Sequence, residues 1–129
     1  MPGADEAGTA SAFVDTNIWV YAHLKAPGDA RHERALALVQ SRADLVISPQ
    51  VVAEYNNVML RNAKTDAWVQ ANLRASFARA LLQPANAEVV STALGLRNRH
   101  HFLFWGCQIV ATALLARCTA LLTDDLQHG

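Results

Sequence analysis

A chain of 129 residues is long enough for one compact core and too short for two ordinary domains. Eleven Lys and Arg balance eleven Asp and Glu, so no overall field favours nucleic acid or an anionic membrane, and an anionic substrate has to be held by local charge or by a metal ion. No run of about 18 apolar residues occurs, which excludes a membrane-spanning helix.

Met1 to Ser11 are small and acidic, without the basic start and apolar stretch of a signal peptide. They are expected to form a flexible tail (1–11) ahead of one domain spanning 12–129. The first apolar run, Ala12-Phe13-Val14, predicts a strand leading into Asp15. Thr16 to Leu24 reads as a short helix, and Pro27-Gly28 breaks the chain before a second, Asp29 to Arg42. A second strand is predicted at Asp44 to Ile47, after which Ser48 supplies a side-chain cap and Pro49 opens a helix without losing a hydrogen bond. Val51, Val52, Tyr55, Val58 and Met59 recur at helical spacing, so this helix buries one face. Further helices are predicted at about Asp66 to Leu82, Asn86 to Arg97 and Leu103 to Arg117, followed by a strand at Thr119 to Leu122. Strands separated by helices imply an α/β fold, a parallel central sheet flanked by helices. Cys107 and Cys118 lie on one helix and its exit, roughly 16 Å apart along the axis at ~1.5 Å per residue, too far to bridge. Thiols of this kind suit a reducing cytosol, so a cytoplasmic location is expected.

In an open parallel sheet the strands' carboxyl ends gather along one edge, where ligands bind, so acids far apart in sequence converge. Asp15 follows the first strand, with capping of the next helix as its alternative role. Glu54 lies beside the Val51, Tyr55 and Val58 stripe, where an unpaired carboxylate is costly to desolvate; a salt bridge to an Arg is the alternative there. Asp124 and Asp125 follow the last strand, a common place for a turn or cap. Together these acids mark one pocket. Gathered carboxylates repel one another, and a hard divalent ion such as magnesium relieves that repulsion while keeping several waters. The segment Arg97-Asn98-Arg99-His100-His101-Phe102 precedes the last long helix and offers cations that could bring phosphates toward the acids, against the alternative of an ordinary solvated helix end. Trp19, Trp68 and Trp105 are expected in the core or an interface rather than as platforms for bases, and Cys107 as a packed thiol.

The motifs Phe13-Val14-Asp15-Thr16-Asn17, Ser48-Pro49-Gln50-Val51-Val52-Ala53-Glu54, Phe104-Trp105 and Leu122-Thr123-Asp124-Asp125-Leu126-Gln127-His128-Gly129 resemble, in order and spacing, the PIN domain and specifically the VapC-like toxins of bacterial toxin-antitoxin pairs. The resemblance covers about residues 12 to 129. It implies a metal-dependent ribonuclease fold in which Asp15, Glu54 and Asp125 hold magnesium or manganese and the adjacent Asp124 assists; with such a site, Asn17 and the cations Arg97 and Arg99 of the basic segment are the expected contacts to the RNA substrate. It also implies a homodimer silenced by a cognate antitoxin protein. Apolar positions on the helices, Trp68, Leu73, Phe77, Leu81 and Leu82, offer surface for such a dimer.

Two departures bear on activity. Where the family usually places an acid at the start of the long helix, this chain has Gly106, which supplies no ligand and costs about 1 kcal/mol relative to Ala inside a helix. The family usually continues into a last edge strand beyond the point where His128-Gly129 stands, so that strand is expected to be absent. A catalytically inactive module that binds antitoxin or RNA is therefore the alternative function. A phosphoaspartyl receiver or phosphatase built on Asp15 is disfavoured, because Lys25 and Lys64, the two lysines, lie in helical or loop contexts rather than after a later strand.

Overall fold

The computed structural model describes residues 11–25, 28–101 and 103–123. Its elements run β1 (Ala12–Val14), α1 (Thr16–His23), α2 (Ala30–Ser41), β2 (Leu45–Ile47), α3 (Pro49–Arg61), α4 (Asp66–Phe77), β3 (Ala80–Leu82), α5 (Ala87–His100), α6 (Phe104–Leu115) and β4 (Ala120–Leu122). The strands form one sheet in the order β3-β2-β1-β4, every neighbouring pair parallel. The α/β architecture with a parallel central sheet and flanking helices is therefore as expected. Phe13 stands opposite Val46 on one side and Leu121 on the other, so β1 is interior to the sheet. Its three residues are fully buried, as are those of β2, which explains why both read as continuous apolar runs rather than alternating ones.

The chain moves outward from β1 through β2 to β3, then returns to lay β4 on β1's other side. Order reverses between β1 and β4, and the crevice beyond their carboxyl ends is where an open α/β sheet binds ligands. Local chemistry sets the helix starts. Asp15, Asp29, Ser48, Thr65 and Asn86 each accept a hydrogen bond from a backbone N–H in the first turn of the helix that follows. Helix α6 differs, with Leu103 at its cap position and no side-chain hydrogen bond.

The main core joins Phe13, Val14, Ile47, Val51, Tyr55 and Met59 with Trp19 and Ile109 across both sides of the sheet; a smaller cluster of Val89, Ala93, Cys107 and Ala111 locks α5 onto α6. Cys107 is buried as expected, and neither it nor Cys118 is in a disulfide. No helix among the described residues is long and apolar enough to cross a membrane.

One element departs from expectation. The helix predicted to run to Leu82 stops at Phe77, the chain turns through Arg79, and Ala80–Leu82 pair with β2 as an edge strand. Ala-Leu-Leu favours a helix by propensity, and Leu81, 65 % exposed at the sheet edge, gives neither alternation nor buried continuity to mark a strand. Backbone pairing with β2, continued by Gln83 N–H to the Ile47 carbonyl at 2.8 Å, overrides that local preference. Helix α5 also runs three residues past its predicted end at Arg97, closing on His101 in the left-handed region at φ 59°.

Candidate functional site

Asp15 leaves β1 with its backbone N–H donating to the Leu122 carbonyl at 2.9 Å, which ties the ends of β1 and β4 together. Its Oδ1 accepts from Thr16 N–H at 2.7 Å and its Oδ2 from Thr123 Oγ1–H at 2.8 Å. Asp15 therefore caps α1 as the sequence allowed, and the same residue also lines the cleft described below. These bonds fix the carboxylate's orientation, and a carboxylate with one bond on each oxygen retains lone pairs for a further ligand.

Glu54 comes from the middle of α3. Thr16, buried at the first position of α1, donates its Oγ1–H to Glu54 Oε1, so a single threonine holds both acids: its backbone orients Asp15 and its hydroxyl reaches Glu54. A second tie fixes the two helices. His23 Nδ1 in the last turn of α1 shares a 2.6 Å hydrogen bond with the hydroxyl of Tyr55, the residue after Glu54, and the two rings meet edge to face. Burial pushes the His23 imidazole below its usual range and the Tyr55 phenol well above its own, so the pair is held neutral.

Asp15 and Glu54 open onto a cleft of about 630 Å³. Thr16 and Asn17 continue its α1 side, and Asn57, Val58 and Arg61 follow Glu54 along α3 at the three-, four- and seven-residue spacing of one helix face. Leu103, Trp105 and Gly106 from the start of α6 form the other wall. Of the residues singled out from the sequence, the structure brings Asp15, Asn17, Glu54 and Gly106 to this cleft. Arg97 and Arg99 sit in the exposed last turn of α5 and are not among the cleft's lining residues. Asp124 and Asp125 lie outside the described residues, immediately after Thr123. Among the described residues no cluster of three or more His, Cys, Asp or Glu side chains forms.

Other lining residues escaped the sequence reading. Asn57 and Arg61 were legible in principle from their spacing to Glu54, whereas Thr16 and Thr123 stand in the motifs that carry the resemblance but without a readable role, because a hydroxyl's partner depends on tertiary contact. Trp105, expected in the core or an interface, is 52 % exposed at the cleft. Gly106 is the third residue of α6; a Cβ built there meets nothing within 4 Å, and its φ is not positive. Neither crowding nor backbone conformation demands glycine at this place.

Comparison with solved structures identifies similar folds. VapC20 of Mycobacterium tuberculosis, described as a Sarcin-Ricin loop cleaving toxin, superposes with a TM-score of 0.73 at 22 % identity, covering 92 % of this chain and 94 % of that one. VapBC2 of Rickettsia felis, solved bound to a promoter DNA fragment, gives a TM-score of 0.66 at 21 % identity over 90 % of this chain and 89 % of that one. A toxin-antitoxin complex from Klebsiella pneumoniae gives 0.65 at 18 % identity, covering 87 % and 85 % respectively. No curated protein matches the sequence significantly. The PIN domain family model matches residues 12–128, nearly the whole sequence, and on that match the chain belongs to the PIN domain family.

Proposed function

We propose that this protein is a metal-dependent endoribonuclease of the VapC toxin type, hydrolysing RNA phosphodiesters in the cleft beyond the carboxyl ends of β1 and β4, with its activity reduced by glycine at position 106. The observation that carries this reading is the convergence of Asp15 and Glu54, 39 positions apart in sequence, on one threonine at the carboxyl edge of a parallel sheet. Two carboxylates with hydrogen-bonded, oriented oxygens form a hard oxygen donor set, which fits magnesium or manganese held by one or two carboxylates together with substrate phosphate. Asp15 and Glu54, both lining the cleft, would supply two of the ligands, and Asp125, with Asp124 beside it, is proposed to complete the set from the segment after Thr123. When bound, the ion neutralises the carboxylates, polarises a phosphate oxygen and acidifies water. Thr16 and Thr123 keep the Asp15 carboxylate from rotating away, Asn17 offers an amide for the strand, and Arg97 and Arg99 meet RNA outside the cleft.

The toxin-antitoxin assemblies among the structural neighbours support a cognate antitoxin as partner. A homodimer is supported by the apolar groove of about 430 Å³ between α3, α4 and β3, bordered by Phe77 and Leu82, both more than two-fifths exposed. Sedimentation showing only monomer at tens of micromolar would count against it. The alternative of a catalytically inactive PIN module binding antitoxin or RNA draws support from Gly106 alone. Cleavage of a mixed RNA pool in magnesium, in EDTA and with Asp15→Asn and Glu54→Gln separates the two. The nuclease reading expects slow cleavage that EDTA and either substitution abolish; cleavage indifferent to all three treatments refutes it.

A further inference from the structure

The α6 wall of the cleft carries chemistry that the acids do not require. Trp105 leaves 52 % of its surface exposed and Leu103 leaves 79 %, although a tryptophan ordinarily buries most of its large ring. The support beneath the indole is firm. Gln50, buried in the first turn of α3, donates its Nε2–H to the Trp105 carbonyl at 3.0 Å, and Cys107, two residues on, is buried in the α5–α6 cluster. Trp105 therefore lines the cleft, half exposed, from an anchored backbone. Asn57 and Arg61 of α3, about one and two turns beyond Glu54, also line the cleft.

We propose that Trp105 is a stacking platform for one unpaired base of a single-stranded RNA, with Arg61 holding a phosphate of the same strand so that its backbone passes Asp15 and Glu54. The proposal rests on the nuclease reading above and names the residues of this chain that would grip the strand. An aromatic face, a guanidinium and the amides of Asn17 and Asn57 around one cleft are the groups that grip unpaired strands, where each base has a face to offer. In a duplex both faces of an internal base are covered by its neighbours, so Trp105 gives duplex RNA no advantage. Arg61 supplies charge without reading sequence, and Trp105 supplies contact area that any base can use.

The test is equilibrium binding in magnesium to three end-labelled probes carrying cleavage-resistant phosphorothioate linkages: a short oligoadenylate, an abasic strand of equal length, and an RNA duplex. Trp105→Ala is expected to weaken the oligoadenylate about tenfold, toward the low end of base–aromatic stacking, and to leave the abasic strand and duplex unchanged. Trp105→Phe, which keeps a ring, is expected to retain most of the affinity. Arg61→Gln should weaken all three probes and flatten the salt dependence. If the oligoadenylate binds the wild type while Trp105→Ala changes its affinity by less than about twofold, or if the abasic strand loses as much, the stacking proposal is overturned, the nuclease reading stands, and the wall falls to a protein partner. If the wild type binds none of the probes, both fall together.

Discussion

The two helices whose first turns line the cleft are built in opposite ways. Helix α1 is fixed at both ends: Asp15 caps its N-terminus while Thr123 holds the same carboxylate, and His23 in its last turn is bonded to buried Tyr55. Helix α6 begins without a side-chain cap, exposes Leu103 and Trp105, and places glycine where open space would admit a side chain. One wall therefore presents charge on a rigid frame and the other presents apolar surface and an opening. The contrast shows that α6 is held by the core beneath it, through Cys107 and Ala111, while position 106 contributes no side-chain contact to the fold.

The largest way to break this contrast is to unpin α1 from α3. Tyr55→Ala empties a fully buried aromatic site and is expected to cost about 3–5 kcal/mol in urea unfolding, against about 1–3 kcal/mol for Tyr55→Phe, which leaves His23 without its hydroxyl partner. Asp15→Ala removes the α1 cap and should cost about 1 kcal/mol in the same experiment, the usual value of such a cap. The wall formed by α6 should respond in the other direction. Gly106→Ala is expected to stabilise by up to about 1 kcal/mol, since the Cβ enters open space, and Leu103→Ser should add about half as much by supplying the missing cap. If Gly106→Ala destabilises, the place is more crowded than described and the contrast fails.

The smallest effect is one of pH. Burial lowers the His23 pKa in the folded state, while in the unfolded chain it titrates near the usual histidine value of 6.5. Above that value both states are neutral and the full stability is present. As pH falls below it the unfolded state takes up the proton first, so stability declines until folded His23 is itself protonated. Unfolding free energies measured between about pH 8 and 5 should show this decline, at no more than about 1.4 kcal/mol per pH unit, and His23→Gln should remove it.

The central strands were readable because burial on both faces leaves an unbroken apolar run, as in Leu45-Val46-Ile47, and the helix starts because Ser48 and Asp15 carry their signal within three residues. Edge strand β3 was hidden because its pairing with β2 is a backbone interaction that Ala80-Leu81-Leu82 does not announce. Asp15 and Glu54 could be placed at the same edge from sequence, as acids beside apolar runs in a parallel α/β pattern. Their link through Thr16 could not, since it depends on the angle at which α3 crosses α1. Arg97 and Arg99 stand out in the sequence as a basic run, yet among the described residues it is Arg61, at the end of α3, that lines the cleft.

The most direct test of the account compares the chain as it stands with Gly106→Asp and with Gly106→Asp carrying Asp15→Asn, each confirmed as folded by circular dichroism, for magnesium affinity by calorimetry and for RNA cleavage in the same buffer. The account predicts weak magnesium binding and slow cleavage for the first, a gain in both for the second, and loss of that gain in the third. Equal cleavage by the chain with Gly106 and by Gly106→Asp would contradict it.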